Sequence, residues 1–439
     1  MIEALNVLSK IVLHKRKEVA QRKLIRSYET LLRGLQVSKR SLEQVLRQSG
    51  NRFILEYKRA SPSEGTINST LTVDDVCEAY QGFADAVSVL TDQTFFDGSF
   101  EHLRQLKNKM DVPVLCKDFI LEPYQVIEAR YYGADAILLM LSILDDQQYQ
   151  TLAALADDFS LDVLTEVHTE AELQRAVQLG ARIIGINNRN MNTLQTDIAV
   201  TEKLASKVPA DRLVISESGI SSRKDILRLT SKVDGFLVGT SLTSSKDVRG
   251  AVKRLLFGEV KICGIKNSKD AGVAEIAGAS YLGLVFYTPS PRFVTIEEAE
   301  IITESVCAKF VGVFVNSSVE TMVDSAKRLN LFAVQCHGNE SPELLANLKQ
   351  QLPRECQLWK ALGYAGQSTF QQIAQIEALV DRVLVDYQNT TIGGGSGRRF
   401  NWQEIDNIQI SIGDPHKLVV AGGIAPSNVH ELDAYPDLS

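Results

Sequence analysis

Residues 53–65 read F-I-L-E-Y-K-R-A-S-P-S-E-G. An apolar, β-favouring run ends in two groups of opposite charge, Glu56 and Lys58, and the chain then breaks at Ser61-Pro62-Ser63. One such stretch fits an edge strand with a solvated ion pair. Repetition decides otherwise. The same order of apolar strand, polar or charged C-terminal end, loop and helix recurs at 86–90, 112–116 followed by Lys117, 162–167, 182–187 and 213–217, with further apolar strands at 136–140 and 235–239. These eight strands alternate with helical segments, and their near-continuous apolar character suits parallel strands covered on both faces. The pattern predicts an α/β chain that begins with a (β/α)8 TIM barrel, whose active site is assembled from C-terminal strand ends.

Working outward, residues 5–48 read as one or two helices ahead of the first strand, an extension placed to cap the bottom or the rim of the barrel. On the other side a second round begins near residue 260 without a Pro/Gly/Ser-rich linker. Its strands fall at 260–264, 281–286, 310–314, 332–335, 358–361, 382–386 and 418–421, which makes seven. Two tandem (β/α)8 barrels are therefore expected, over residues 1–256 and 257–439, the second lacking its last strand and helix.

A net charge of −7 points away from nucleic-acid and bilayer-surface partners, so an anionic substrate must be held by local positive groups. Cys77, Cys116, Cys263, Cys307, Cys336 and Cys356 are widely spaced, a pattern of neither a disulfide framework nor a zinc site. The amphipathic N-terminus lacks a long apolar core. A monomer in the cytoplasm, with no targeting or membrane segment and no metal or cofactor, is expected.

The chemistry is legible at strand ends. Lys58 and Lys117 close apolar strands, and two ammonium groups facing one pocket would disfavour each other's charged form, preparing one to release a proton. Glu56, Glu166 and Glu217 supply carboxylates from other strand ends, for acid and base roles on opposite sides of a substrate. After the seventh and eighth strands, Glu217-Ser218-Gly219-Ile220 and Gly239-Thr240-Ser241 offer small residues whose backbone N–H groups can approach a phosphate.

These residues carry a resemblance. E-Y-K-R-A-S-P-S, L-C-K-D-F-I, T-E-V, I-G-I-N-N-R, I-S-E-S-G-I and F-L-V-G-T-S-L, in this order, are similar to indole-3-glycerol-phosphate synthase of tryptophan biosynthesis. The resemblance implies closure of the indole ring of 1-(2-carboxyphenylamino)-1-deoxyribulose 5-phosphate with loss of carbon dioxide and water. It makes Lys117 the general acid, Lys58 a second acid group near the substrate carboxylate, Glu166 the base in dehydration and Glu56 the residue that positions the lysines. Asn187, Arg189, Glu217 and Ser218 would line the anthranilate and hydroxyl contacts, and Ser61, Gly219, Gly239 and Thr240 would hold phosphate.

The second round resembles phosphoribosylanthranilate isomerase through V-K-I-C-G-I, S-P-R, V-Q-C-H-G, W-K-A, G-G-G-S-G-R-R-F and V-A-G-G-I. That resemblance implies an Amadori rearrangement with Cys263 as general base, Asp386 as general acid and Arg292 near the substrate carboxylate. Gly394, Gly395, Ser396 and Gly397, with Gly422 and Gly423, would form the phosphate nest. The missing eighth strand leads to an expectation of an open second domain with weak or absent isomerase activity. Two other classes stay open: a phosphosugar aldolase using Lys117 as a Schiff base, and a non-catalytic binding protein on the same fold.

Overall fold

A computed structural model describes residues 6–190, 193–387, 398–435 and 438, and the chain divides into two compact units, Met1–Val252 and Lys253–Ser439. The first unit is a closed barrel of eight parallel strands: β1 (Arg52–Tyr57), β2 (Ala86–Leu90), β3 (Val114–Lys117), β4 (Ala136–Met140), β5 (Asp162–Val167), β6 (Ile183–Asn187), β7 (Leu213–Glu217) and β8 (Gly235–Val238). Closure is made by β1, which pairs with β2 through Glu56↔Ser88 and with β8 through Leu55↔Val238. At that seam a Cβ on Gly235 would stand 2.6 Å from the Arg52 carbonyl oxygen, so glycine lets the two strands meet. Ile54, Leu115, Leu138, Leu164, Ile215 and Leu237 belong to one buried apolar cluster that fills the barrel.

The N-terminal extension covers both ends. Helix α1 (Val7–Ile25), capped by the Asn6 side chain accepting the Ser9 N–H, reaches the C-terminal ends of β2 and β3 through Lys15. Residues 38–43 hold the opposite end, where the Ser38 hydroxyl donates to Asp135 at 2.7 Å and the Ser41 hydroxyl to Asp162 at 2.8 Å.

The second unit carries a seven-stranded parallel sheet in sequential order: β9 (Lys261–Cys263), β10 (Tyr281–Val285), β11 (Lys309–Phe314), β12 (Ala333–Cys336), β13 (Gln357–Tyr364), β14 (Arg382–Tyr387) and β15 (Leu418–Val420). The seven strands expected from sequence are these seven. Among the described residues β9 pairs with β10 alone and β15 with β14 alone, so the sheet has two edges. At the N-terminal strand ends the Trp359 indole is fully buried edge-on to Tyr281, at 5.2 Å between ring centroids, and Arg382 stacks over both rings.

Candidate active sites

Five charged side chains converge at the mouth of the first barrel. Lys117, the last residue of β3, lies 3.2 Å from a Glu217 carboxylate oxygen on β7 and 3.7 Å from one of Glu166 on β5. Glu56 at the end of β1 pairs with Lys58 at 3.0 Å and accepts the Ser88 hydroxyl at 3.3 Å. Glu56, Glu166 and Glu217 are all buried, so their charges act on the lysines through protein rather than water.

The expectation that two facing lysines would loosen a proton is corrected by this arrangement. Burial alone would lower the Lys117 ammonium, but the Glu217, Glu166 and Glu56 carboxylates outweigh it and hold the group above the ordinary lysine range. Burial likewise disfavours the Glu56 carboxylate, yet Lys58 and Lys117 hold it below the usual range. The surplus of negative charge falls on Glu217: burial first, with Glu166 and Glu56 adding to it against Lys117, pushes its carboxyl up to about 7.

Beside this cluster is a cavity of about 340 Å³ lined by Lys58, Lys117, Glu166, Asn187 and Arg189, with Glu56 beneath. The Asn187 side-chain oxygen accepts the Arg189 N–H at 2.9 Å. Arg189 in turn reaches across to the loop after β1, donating to the Ser63 hydroxyl and pairing with Glu64 at 3.1 Å. Ser61, Ser218, Gly219, Gly239 and Thr240 line the same cavity. Ser218 and Gly219 have φ of 65° and 79°, two left-handed residues in succession, and a Cβ on Gly219 would sit 2.6 Å from the Thr196 methyl. All the residues that the sequence assigned to the first site are brought to this mouth; Glu217 stands behind Lys117, outside the cavity lining.

Sequence reasoning missed Gly185 and gave Gly239 a phosphate-holding role only, while both make room for these charges. A Cβ on Gly185 would fall 1.9 Å from a Glu217 carboxylate oxygen, and one on Gly239 would fall 2.5 Å from Glu56. Gly185 interrupts an otherwise β-branched strand, a signal of close approach that was available in the sequence. Phe96 and Phe119, which give the cavity an apolar wall, carried no such signal.

In the second unit Cys263 ends β9 and is exposed, and the Arg292 guanidinium donates to its carbonyl oxygen at 3.4 Å. Asp386 lies on β14, four strands of the sheet beyond β10 in order, and its carboxylate accepts the Tyr387 N–H at 2.6 Å. Burial pushes the Asp386 carboxyl up, partly offset by that N–H and by Arg292. Gly422, at φ 81°, packs where a Cβ would stand 2.1 Å from the Asp386 carboxylate, and Gly423 packs on the backbone of Arg398 and Arg399. Gly394, Gly395, Ser396 and Gly397 lie outside the described residues. His337, hydrogen-bonded to Gln335 at 3.1 Å, is pushed down to about 4 by burial and by Lys360 and Lys261, so it is a neutral imidazole at pH 7.

The pattern of the indole-3-glycerol phosphate synthase family matches residues 8–255, and that of N-(5'-phosphoribosyl)anthranilate isomerase matches residues 260–438. The tryptophan biosynthesis protein TrpCF of Haemophilus influenzae is 40% identical over 441 residues, which cover 99% of this chain and 91% of that protein. The chain belongs to the TrpCF family. TrpCF proteins of Yersinia pestis and Vibrio parahaemolyticus are 40% and 41% identical, with 86% and 88% of their lengths covered. The TrpCF assignment joins the two strand-end clusters into one bifunctional chain, and with both patterns matched, two activities are favoured over the synthase alone.

Proposed function

We propose that the chain catalyses two steps of tryptophan biosynthesis. The second domain isomerises N-(5-phosphoribosyl)anthranilate to 1-(2-carboxyphenylamino)-1-deoxyribulose 5-phosphate, and the first closes that product to indole-3-glycerol phosphate, releasing carbon dioxide and water. The observation that carries the synthase is the Lys117 ammonium held 3.2 and 3.7 Å from two carboxylates at a barrel mouth. Three surrounding carboxylates keep it protonated, as a group must be that donates to the ketose carbonyl while the aryl carbon attacks. The same protonation disfavours a Schiff-base role, which needs a free amine.

Lys58 takes the substrate carboxylate and assists as an acid, steadied by Glu56, while Glu166 removes the proton in dehydration. Asn187, Arg189, Glu217 and Ser218 hold the anthranilate and hydroxyl groups. Ser61, Gly219, Gly239 and Thr240 hold the phosphate, favoured by the paired left-handed backbone at 218 and 219. In the isomerase the Asp386 carboxyl, kept protonated further up the pH scale by burial, protonates the furanose oxygen and opens the ring. Cys263 then takes the C2′ proton, with Arg292 on the substrate carboxylate. Gly394, Gly395, Ser396, Gly397, Gly422 and Gly423 complete the phosphate site.

Each site is composed of residues of one domain, which supports action as a monomer on small phosphorylated substrates. The widely spaced cysteines support a cytoplasmic setting. Supplying the chain with N-(5-phosphoribosyl)anthranilate alone tests the whole proposal. Indole-3-glycerol phosphate and carbon dioxide should appear in equal amounts; accumulation of the ketose intermediate without ring closure would refute the synthase, and no conversion of the starting compound would refute the isomerase.

A further inference from the structure

Helix α1 contains a lysine where a lysine is hard to accommodate. The Lys15 side chain is 0% exposed, and its ammonium lies 2.7 Å from Asp92, 2.8 Å from Asp118 and 2.9 Å from Glu18. Removing a charge from water so completely is tolerated only when close partners replace the solvent. Asp92 and Asp118 are themselves fully or almost fully buried, and each sits at a strand end that builds the synthase mouth.

Asp118 directly follows Lys117. One of its oxygens accepts the Phe119 N–H at 2.7 Å and the other accepts the Thr91 hydroxyl at 2.8 Å. Asp92 accepts the Phe95 N–H at 2.7 Å, capping the turn that carries Phe96. Phe96 and Phe119 are the aromatic part of the cavity's apolar lining. Leu8 and Ile11, on the same helix as Lys15, join the buried cluster that includes Phe119, Leu138 and Met140. The extension thus grips the ends of β2 and β3 by one charge and two apolar side chains.

We propose that Lys15 is a positioning residue for ring closure: it clamps Asp92 and Asp118 together and thereby fixes the backbone from which Lys117 and the aromatic wall project. The proposal rests on Lys117 being the synthase acid. Without Lys15, two buried carboxylates share one site with no cation between them, and the strand ends must part or take up a proton. The groups facing that site are Glu18 and Arg22 on α1, Cys116 on β3, Thr91, and Glu128 on the helix Pro123–Tyr131. Of these only Arg22 carries positive charge, and it is already engaged by Glu18 and Glu128 at 3.3 and 3.4 Å.

The test is steady-state ring closure by the full chain carrying Lys15→Met, with Lys10→Met, an exposed position on the same helix, as the control. Lys15→Met should lower kcat about 100-fold with KM changed less than about threefold, the signature of a displaced acid rather than lost binding. A kcat within about twofold of the parent would overturn the proposal. Should Lys15→Met lose the cooperative melt of the first domain, Asp118→Asn decides: kcat about tenfold lower at unchanged KM supports the clamp, and an unchanged kcat overturns it. Lys117→Ala in the same series separates the two levels. If it retains turnover the acid assignment fails; if it abolishes turnover while Lys15→Met is normal, only the clamp fails.

Discussion

The two domains repeat one strand–helix unit and treat their first strand oppositely. In the first, β1 is hydrogen-bonded on both sides, and the Glu56 carboxylate at its end is buried. In the second, β9 is paired on one side among the described residues, Ile262 is 43% exposed and Cys263 faces solvent. Closure therefore does electrostatic work as well as structural work. A ring of strands places Lys117 among three buried carboxylates that hold its proton, and Lys117 in turn draws Glu56 and Glu217 toward the charged form. In the second domain Asp386, on a strand paired on both sides, has its protonation governed chiefly by burial, with Arg292 as the one charge acting on it. What differs is the company of charge, several carboxylates and a lysine in the first site and a single guanidinium beside the acid of the second.

The sharpest way to break the comparison is to remove the isomerase acid. Asp386→Asn should cut isomerase kcat by about 10³-fold and leave ring closure within about twofold, assayed separately on the same chain. A parallel fall in both activities would show that the domains are not chemically independent. Next comes Gly185→Ala, whose Cβ needs the space held by Glu217. Synthase kcat should fall about tenfold as that carboxylate moves off Lys117, with isomerase turnover unchanged. Normal synthase kinetics would mean that Glu217 is dispensable to the acid.

Amide hydrogen exchange sharpens the contrast of closure itself. Ile262 and Cys263 on β9 should exchange at least about tenfold faster than Leu55 and Glu56 on β1. Equal protection would contradict the view that pairing on one side governs the difference. The smallest effect concerns pH. With its carboxyl raised to about 7 from an ordinary 4.5, Glu217 binds its proton more tightly in the folded state. Its stabilising contribution is therefore complete below pH 4.5 and lost as pH rises through 7. In Glu217→Gln that part of the slope should vanish, flattening the melting temperature of the first domain across this window by the equivalent of about 1–3 kcal/mol. An unchanged slope would assign the titration elsewhere.

Most of the barrel was legible because parallel strands buried on both faces leave an unbroken apolar signal, and several ended in a residue that such a strand would otherwise exclude. Lys117, Glu166 and Glu217 could be grouped from three distant segments for that reason. Their protonation could not. Whether two lysines repel or are each satisfied depends on which carboxylates stand between them, and the Lys58–Glu56 and Lys117–Glu217 pairs are tertiary facts. Lys15 was equally invisible, since a lysine on an amphipathic helix ordinarily faces water.

The central claim is that the Lys117 ammonium is the acid of ring closure. It is tested most directly by measuring turnover of 1-(2-carboxyphenylamino)-1-deoxyribulose 5-phosphate by Lys117→Ala in the full chain. A loss of kcat of about 10³-fold or more, with isomerase turnover intact, is the predicted result. Ring closure within about tenfold of the parent would contradict it.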